Sequence, residues 1–384
     1  MRINLDCAAG APLAPEVTQA MAQAMELVGN PSSVHRQGQA AREVMERARA
    51  QVAALIGAKP DEIYFTSCGT ESNNWAIRGL LAAHKRPRGH VIVSAIEHPS
   101  ILLIVKRFER EGMDVTYLPV TAEGVVTPEA LRAALRPETA LVSVMHANGE
   151  IGTVEPIAEL AAMAHAAGAL CHTDAIASVG HVPVRARELG VDALSVAADQ
   201  FGGPAGAAAL YLKDGVRILP LLDGGGQETG GRSGTENLIG IAGLGAAAEL
   251  AATQLAQRAA HEQGLRDRLK AGLASLLGGR FSGSWTNRLP HNLHVCVEGL
   301  SSESLVLGLD QAGISAGLGS ACNSKAMRPS HVLKAIGLSD DQAQGAILLT
   351  MGTDTTEMEI DQAIDIIFKV VEQLGNITKL TARS

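Results

Sequence analysis

Residues 194–206 read Leu-Ser-Val-Ala-Ala-Asp-Gln-Phe-Gly-Gly-Pro-Ala-Gly and precede a second apolar run at residues 207–212. This pattern predicts a buried strand, a tight loop and another buried strand. An α/β enzyme presents functional side chains at the edge of its sheet in this way. The residues at the end of the first strand are Asp199 and Gln200, and neither is an obvious catalyst.

Outward from this stretch, short apolar strands alternate with helices between residues 62 and 196. The alternation predicts a mostly parallel central sheet with helices on both faces. A glycine-rich loop follows at residues 224–234, and residues 238–276 read as one long alanine-rich helix. Strands and helices are mixed after residue 280, which predicts a smaller α+β domain. We therefore expect a large α/β domain at residues 15–255, and a small domain formed by residues 1–14 and 256–384.

Composition narrows the class of protein. The 384 residues are 46% hydrophobic, which is enough for a substantial buried core. Aromatic residues make up 3% and the net charge is −8, so nucleic acid is not an expected partner. We expect no membrane partner, because we find no apolar run of spanning length and no signal peptide, and we interpret the chain as cytoplasmic. The five cysteines form no C-x-x-C pair, so no intrinsic metal site is expected.

The segment at residues 65–74 has the pattern of a strand end, a turn of small residues and the start of a helix. Free backbone N–H groups and the helix dipole at such a point bind anions, and Thr70 adds a hydroxyl. Simple N-capping by Thr70 or Ser72 explains the same residues equally well.

Two further residues follow predicted strands. His98 lies between a strand and a helix, where a structural role is the more frequent one but where ligands also bind. Asp174 also follows a strand, and a carboxylate there could hold the ring nitrogen of a bound heterocycle protonated. An N-cap for the next segment is the alternative for Asp174.

Cys322 differs from the other cysteines. It lies in a glycine-rich loop and is followed by the polar residues Asn323, Ser324 and Lys325. A nucleophilic cysteine needs exposure and a nearby cation, whereas a structural cysteine is surrounded by apolar residues. The pattern therefore favours a reactive thiol.

Together these pieces resemble the group I cysteine desulfurases, which are pyridoxal-phosphate enzymes that take sulfur from cysteine for iron–sulfur cluster assembly. The resemblance covers essentially the whole chain and lies in these segments: residues 29–35, 66–74, 97–98, 146–152, 172–175, 232–237, 319–322 and 329–333. The compact length is slightly more similar to the nitrogen-fixation branch of the family.

The resemblance implies a fold-type I homodimer with pyridoxal 5′-phosphate between the two domains. Gly69 and Thr70 would hold its phosphate, with Thr235 of the other subunit. His98 would stack on the pyridine ring and Asp174 would pair with the ring nitrogen.

The implied reaction gives alanine from L-cysteine and leaves a persulfide on Cys322. An iron–sulfur scaffold or a sulfur-acceptor protein is the implied partner, and Cys322 could ligate a cluster on that partner transiently.

The chain departs from the family pattern at the position that binds the cofactor covalently. Gln200 stands at the Schiff-base lysine position, beside Asp199 at a histidine position, and glutamine has no nucleophilic amine. Four other family positions have lost their polar groups: a phosphate-contacting Ser is replaced by Ala197, ring-contacting Asn and Gln by Gly149 and Ala177, and a substrate-clamping Arg by Thr353.

Three explanations are open. The protein is a silent homologue that accepts sulfur or binds the scaffold, or it holds the cofactor without a covalent bond and has slow or altered activity. The third explanation is a sequence error at residues 199–200, because the changes from His to Asp and from Lys to Gln each need a single base substitution. The substitutions at positions 149, 177 and 353 argue against an error as the whole explanation. An aminotransferase or other lyase is disfavoured, because such an enzyme also needs the missing lysine.

Overall fold

The computed structural model describes residues 2–10, 12–85, 89–276, 279–318 and 329–381. The strands are β1 (Ile3–Leu5), β2 (Ile63–Thr66), β3 (His90–Ser94), β4 (Val115–Leu118), β5 (Thr139–Ser143), β6 (Leu170–Asp174), β7 (Ala193–Ala197), β8 (Ala208–Leu212), β9 (Gly279–Phe281), β10 (Asn292–Val297), β11 (Ile314–Ala316) and β12 (Ala346–Thr350). The α-helices are α1 (Pro15–Met25), α2 (Arg36–Ile56), α3 (Gly69–Ala83), α4 (Pro99–Arg110), α5 (Pro128–Ala134), α6 (Ile157–Ala166), α7 (Ala186–Leu189), α8 (Leu238–Gly272), α9 (Ser302–Gln311), α10 (His331–Ala335), α11 (Asp340–Gln344) and α12 (Glu357–Thr381).

The larger sheet has seven strands in the order β2-β8-β7-β6-β5-β3-β4. Strand β8 is antiparallel to both of its neighbours, and the other adjacent pairs are parallel. Every residue of β3, β5, β7 and β8 is buried, because helices cover both faces and the strands can be apolar throughout. The predicted fold class, a mostly parallel sheet between helices, is confirmed.

The smaller unit is built from two short sheets. Strands β12, β10 and β9 form an antiparallel sheet, and β1 pairs in parallel with β11. Isolated bridges connect the two sheets, from Asp6 to Thr350 and from Gly317 to Leu348. A separate apolar cluster fills this unit, including Leu293, Leu349 and Ile360.

Helix α8 connects the two cores. Its first half packs into the core of the large sheet through residues such as Leu244, and its second half packs into the small core through Leu265 and Leu269. The predicted boundary at residue 255 falls inside this helix, and the division into two domains stays a prediction.

By length and composition alone, α8 could cross a membrane, and among the described residues it is the one helix of this kind. Our sequence-based expectation that no run reaches spanning length was therefore wrong. Half of the apolar window of α8 is buried inside the protein. A core helix of this type passes the same test as a membrane span, because both avoid charged residues over a long stretch.

Candidate functional site

The carboxyl ends of the parallel strands bring the predicted site residues to one edge of the sheet. Asp174 is the last residue of β6, and Gln200 ends the short turn that follows β7, the neighbouring strand. His98 is the N-cap of α4, just after β3. Ligands bind at this edge in open α/β sheets, because loops there can diverge and leave a crevice.

Asp174 is buried and hydrogen-bonded on both oxygens. Its Oδ2 accepts from Asn73 Nδ2 at 2.7 Å, and its Oδ1 accepts from the Ile176 backbone N–H at 3.0 Å. Burial raises the pKa of Asp174, while these two hydrogen bonds and the nearby His98 act in the opposite direction. The hydrogen bond from Ile176 stabilises the turn that follows β6. The Asp174 side chain therefore stabilises this turn and is also part of the candidate site.

His98 is tied to Asp174 through two intermediate residues. Asn73 Nδ2 also donates to Ser100 Oγ at 2.9 Å, and Ser100 Oγ lies 2.7 Å from His98 Nδ1. His98 Nδ1 also accepts from the Ser100 backbone N–H, which makes it the side-chain cap of α4. The structural and the functional interpretations of His98 therefore coexist.

The sequence interpretation missed the linking roles of Asn73 and Ser100. Asn73 lies one turn inside α3, within the motif at residues 66–74, and it is fully buried. A polar amide on the buried face of a helix was the available signal, because such a group needs hydrogen-bond partners.

Helix α3 begins at Gly69 and presents its first turn to the same edge. Its N-cap is Cys68, whose side chain makes no capping hydrogen bond, so the alternative of capping by Thr70 or Ser72 was wrong. The first N–H groups of a helix have no intrahelical partner and attract anions. A Cβ on Gly69 would lie 2.2 Å from Ile176 Cδ1, so a larger residue at this position would require the end of the Ile176 side chain to move.

The segment that carries Thr235 lies near α3. Arg232 Nε donates to Glu71 Oε1 at 2.7 Å, and Glu71 also accepts from the backbone N–H of Ser67. Thr235 is exposed. A contribution of Thr235 to the phosphate site of a second subunit stays a prediction.

Gln200 is directed at the amino-terminal segment of the same chain. Its side-chain Nε2 donates to the Ala8 backbone carbonyl at 3.0 Å. The backbone carbonyl of Gln200 accepts from His181 Nε2 at 2.9 Å. An amide nitrogen is neither nucleophilic nor titratable, so Gln200 supplies hydrogen bonds to the fold and no covalent anchor.

The other substituted positions carry small residues at three places and a threonine at the fourth. A Cβ built on Gly149 would lie 3.4 Å from the Ala177 Cβ, so two small residues face each other. Ala197 is buried at the end of β7. Thr353 is exposed, and its hydroxyl lies near its neighbour Asp354.

Cys322 lies outside the described residues. Of the other cysteines, Cys68 is exposed, Cys7 is half-buried, and Cys171 and Cys296 are buried. Burial raises the pKa of the Cys296 thiol to about 12, which keeps it protonated and unreactive.

The residues at this edge fit the phosphate and the pyridine ring of pyridoxal phosphate, and they do not fit its covalent attachment. The open first turn of α3 suits its phosphate, and the buried carboxyl of Asp174, held beside His98, suits its pyridine nitrogen. Position 200 does not fit the covalent attachment, because Gln200 replaces the amine. The site is therefore suited to a cofactor held by non-covalent contacts.

One group among the described residues brings possible metal ligands together: His181, Glu262 and His291, whose ligand atoms lie within 4.8 Å of one another. The two rings are stacked, with centroids 3.7 Å apart and planes at 29°. Because a ring lone pair lies in the plane of its ring, the lone pairs of the two rings lie in planes only 29° apart, which is unfavourable for their convergence on one tetrahedral metal ion.

An ion pair explains the same cluster. His181 Nδ1 lies 3.0 Å from Glu262 Oε2. Burial lowers the pKa of His181, but Glu262 and the Gln200 carbonyl outweigh burial and raise it. A shared proton therefore satisfies the pair without a metal ion.

Comparison with known proteins gives consistent results. The family model described as aminotransferase class-V matches residues 3–362. The chain is 42% identical over 382 residues to "Cysteine desulfurase IscS" of Methanosarcina thermophila, which covers 99% of this chain and 95% of the relative. It is 41% identical over 379 residues to "Cysteine desulfurase IscS 1" of Archaeoglobus fulgidus, with 98% and 99% covered.

Solved structures show the same likeness. A "NIFS-LIKE PROTEIN" superimposes with a TM-score of 0.91 at 35% identity, covering 97% of this chain and 100% of that one. "SspA in complex with cysteine" gives a TM-score of 0.81 at 32% identity, covering 93% and 100%. The predicted resemblance and the predicted fold class are both confirmed.

Proposed function

The chain belongs to the aminotransferase class-V family, where the relatives it matches are cysteine desulfurases, and we propose that it mobilises sulfur from L-cysteine onto Cys322 with pyridoxal phosphate held non-covalently. The observation that carries the proposal is the intact network from Asp174 through Asn73 and Ser100 to His98, beside the open turn of α3. A solved relative is titled as a complex with cysteine, which supports the substrate.

The roles that we propose for the residues are those that the family resemblance implies. Asp174 would hold the ring nitrogen of the cofactor, His98 would stack on the ring, and Gly69 and Thr70 would bind the phosphate. The bound cofactor supplies electron withdrawal from the substrate. The Cys322 thiolate attacks the substrate sulfur, so that a sulfur–sulfur bond forms as the carbon–sulfur bond breaks, and the substrate carbon gains a proton to give alanine.

The proposal also covers the partners of the protein and its cellular location. An iron–sulfur scaffold or sulfur-acceptor protein takes the persulfide sulfur, which places the protein in iron–sulfur cluster assembly in the cytoplasm. Two copies form a homodimer in which Thr235 completes the phosphate site of the other subunit. Nitrogenase maturation is the narrower form of this role, and the "NIFS-LIKE PROTEIN" neighbour supports it.

A single assay tests the activity. Purified protein is incubated with pyridoxal phosphate and L-cysteine, and alanine, sulfide and the mass of the Cys322 peptide are measured. With L-cysteine limiting relative to the enzyme and no other thiol present, we expect alanine and a persulfide in equal amounts. Asp174→Ala is the negative control, and Gln200→Lys tests whether the missing amine limits the rate.

The assay also separates the alternative function. If the wild-type protein gives no alanine and no persulfide while Gln200→Lys gives both, the protein is a catalytically silent homologue. Its role would then be to accept sulfur or to bind the scaffold.

A further inference from the structure

The turn that carries Gln200 is held by a side chain from another part of the large unit. His181 follows β6, and its Nε2 lies 2.9 Å from the backbone carbonyl of Gln200. Among the described residues, His181 is the one hydrogen-bond donor to this carbonyl. Gly180 has a φ of 87°, and a Cβ at this position would lie 2.3 Å from Phe201 Cβ. The backbone beside His181 therefore packs directly against the turn that carries Gln200.

The ring of His181 is held on its other side by a buried carboxylate. His181 Nδ1 lies 3.0 Å from Oε2 of Glu262, a residue in the second half of α8 that is 1% exposed. A ring that carries both protons donates to this carboxylate and to the carbonyl of residue 200 at the same time. His291 stacks on the ring with centroids 3.7 Å apart, which limits its rotation. The position of the ring and its direction of donation are therefore fixed.

The side chain of Gln200 extends these hydrogen bonds to the smaller unit. Its Nε2 donates to the backbone carbonyl of Ala8 at 3.0 Å, and the N–H of Ala8 donates to Thr350 Oγ1 at 2.9 Å. Thr350 is the last residue of β12. One route of hydrogen bonds thus runs from α8 through His181 and Gln200 to the end of β12. Thr353, at the substrate-clamping position that the family resemblance implies, lies three residues further along the chain.

The contact between Gln200 and Ala8 depends on the backbone at residue 200. Gln200 is half-buried, so water competes for its amide, and a long side chain loses rotamer entropy when it is held in one direction. The side chain and the carbonyl leave the same backbone unit, and a rotation of that unit would turn the amide away from Ala8. A donor that fixes the carbonyl therefore makes the side-chain contact more persistent.

We propose that His181 is a positioning residue of the candidate site: held by Glu262, it fixes the backbone of residue 200, so that Gln200 fastens the amino-terminal segment to the cofactor edge of the large sheet. Where the family resemblance implies a covalent bond to the cofactor, position 200 of this chain makes a hydrogen bond between the two units. The proposal rests on the proposed function only for the presence of pyridoxal phosphate at this edge.

Hydrogen exchange tests the proposal without cofactor or turnover. Full-length protein is diluted into deuterated buffer, and the peptide that contains Cys7 and Ala8 is followed by mass spectrometry. We expect Gln200→Ala to speed exchange in this peptide by roughly fivefold, which corresponds to one lost hydrogen bond. A peptide from β5 in the same sample should keep its rate, because a buried central strand exchanges only through larger openings.

Matched variants test the part of His181. His181→Phe combined with Glu262→Gln removes both donors, keeps a ring against His291 and leaves no unpaired buried charge. This variant should speed exchange at Cys7 and Ala8 by roughly three- to fivefold. Glu262→Gln alone is the matched control. Its amide donates to Nδ1 of a neutral His181, whose Nε2 still donates to the carbonyl of residue 200, so exchange should stay at the wild-type rate.

A link through Gln200 differs from general destabilisation in how the effects combine. In the Gln200→Ala background, His181→Phe with Glu262→Gln should speed exchange no further, because the bond to Ala8 is already absent. Effects that multiply in this triple variant would overturn the positioning role. So would wild-type exchange at Ala8 in the folded variant that carries His181→Phe and Glu262→Gln.

Another histidine–carboxylate pair provides the control for stability. His165 Nε2 lies 2.7 Å from Asp192 Oδ2 within the large unit. His165→Ala should lower stability and leave exchange at Cys7 and Ala8 unchanged. Faster exchange in this variant, equal to that of Gln200→Ala, would show that the amino-terminal segment responds to any loss of stability, and it would overturn the specific role of His181.

A second test concerns the cofactor edge and is interpreted separately. In Gln200→Lys, pyridoxal phosphate followed by borohydride should label position 200. Adding His181→Phe with Glu262→Gln should slow this labelling about tenfold, because the amine is no longer held in one direction, whereas adding Glu262→Gln alone should not. If Gln200→Lys takes no label, the proposed cofactor site fails and hydrogen exchange alone decides. Equal labelling rates in all three variants would show that His181 does not position residue 200.

Discussion

At the scale of single residues, a Cβ added to Gly69 would require its neighbour Ile176 to move. The Cβ would lie 2.2 Å from Ile176 Cδ1, at the first turn of the helix that faces the predicted phosphate. We expect Gly69→Ala to lower the free energy of unfolding by about 0.5–1.5 kcal/mol, the cost of moving the Ile176 side chain out of its preferred rotamer. Ile176→Val, which deletes Cδ1, should recover most of that loss in the double variant, measured by urea denaturation.

One result of this double-mutant cycle would contradict the prediction. Ile176→Val alone should cost about 0.5–1.5 kcal/mol, because it removes one methyl group. If the effects of the two substitutions simply add, the contact with Cδ1 is not the cause of the loss in Gly69→Ala.

Position 200 permits a test of the cofactor site that does not depend on activity. With Gln200→Lys, an amine at this position should bond covalently to pyridoxal phosphate, and borohydride reduction should leave a stable label there. The wild type should carry no label at 200. Asp199→His is the matched control, since it changes the adjacent residue without adding an amine. An unlabelled position 200 in Gln200→Lys would show that the crevice does not admit the cofactor.

Much of the candidate site could be predicted from sequence, because it depends on short segments at strand ends. The places of Asp174 and His98 at the carboxyl ends of strands were predicted in this way and are confirmed, and their roles toward a cofactor stay predictions. The linking roles of Asn73 and Ser100 were missed, since they depend on two helices meeting in space. The contact from Gln200 to Ala8 joins residues 192 positions apart, and local pattern carries no information on such pairs.

At the scale of elements, one buried ion pair joins α2, β2 and the glycine-rich loop. The Arg49 guanidinium donates to both oxygens of Glu228 at 2.8 Å, and Glu228 also accepts from the Phe65 backbone N–H. Glu228 adopts a φ of 47°, a conformation that costs energy for a residue other than glycine. The ion pair therefore holds the loop in a strained form.

We expect Glu228→Ala to cost about 3–5 kcal/mol of unfolding free energy, because it removes two charge-assisted hydrogen bonds from the buried Arg49, each worth about 1.5–3 kcal/mol, and leaves the exposed Glu46 as the carboxylate partner of Arg49. Chemical denaturation measures the loss. The exposed pair of Arg268 and Asp361 is the control, and Asp361→Ala should have a much smaller effect because water solvates both charges. Equal losses in the two variants would contradict a special role for the buried pair.

The alternating strands and helices of the large sheet were predicted more accurately than the strands of the smaller unit. Strands β9 and β11 have three residues each and were missed, as was β12. Such strands form because β10 and β1 offer edges for pairing, and that stabilisation comes from distant partners.

At the scale of the whole molecule, buried titratable groups concentrate near the contact between the two units. Burial raises the pKa of Glu155 to about 8 and lowers the pKa of His294 to about 3. Each of these groups favours its neutral form in the folded state. Stability should therefore fall toward high pH through the acids and toward low pH through the histidines.

Glu155 permits a direct test of this dependence. Its carboxyl ionises near pH 4.5 when unfolded and near pH 8 when folded, so between these values the folded state holds a proton that the unfolded state has lost. The free energy of unfolding should then decrease as pH rises through this window. Glu155→Gln keeps an acceptor for the Val126 N–H and cannot titrate. Relative to the wild type, this variant should gain at least about 2 kcal/mol between pH 5 and pH 8.

Urea denaturation at both pH values measures the gain. Glu159→Gln on α6 is the control for the exchange of a carboxyl for an amide at an exposed position. If wild type and Glu155→Gln keep a constant difference from pH 5 to pH 8, Glu155 is ionised in the folded protein. Its buried oxygen without a partner would then require a compensating charge or water at the contact between the two units.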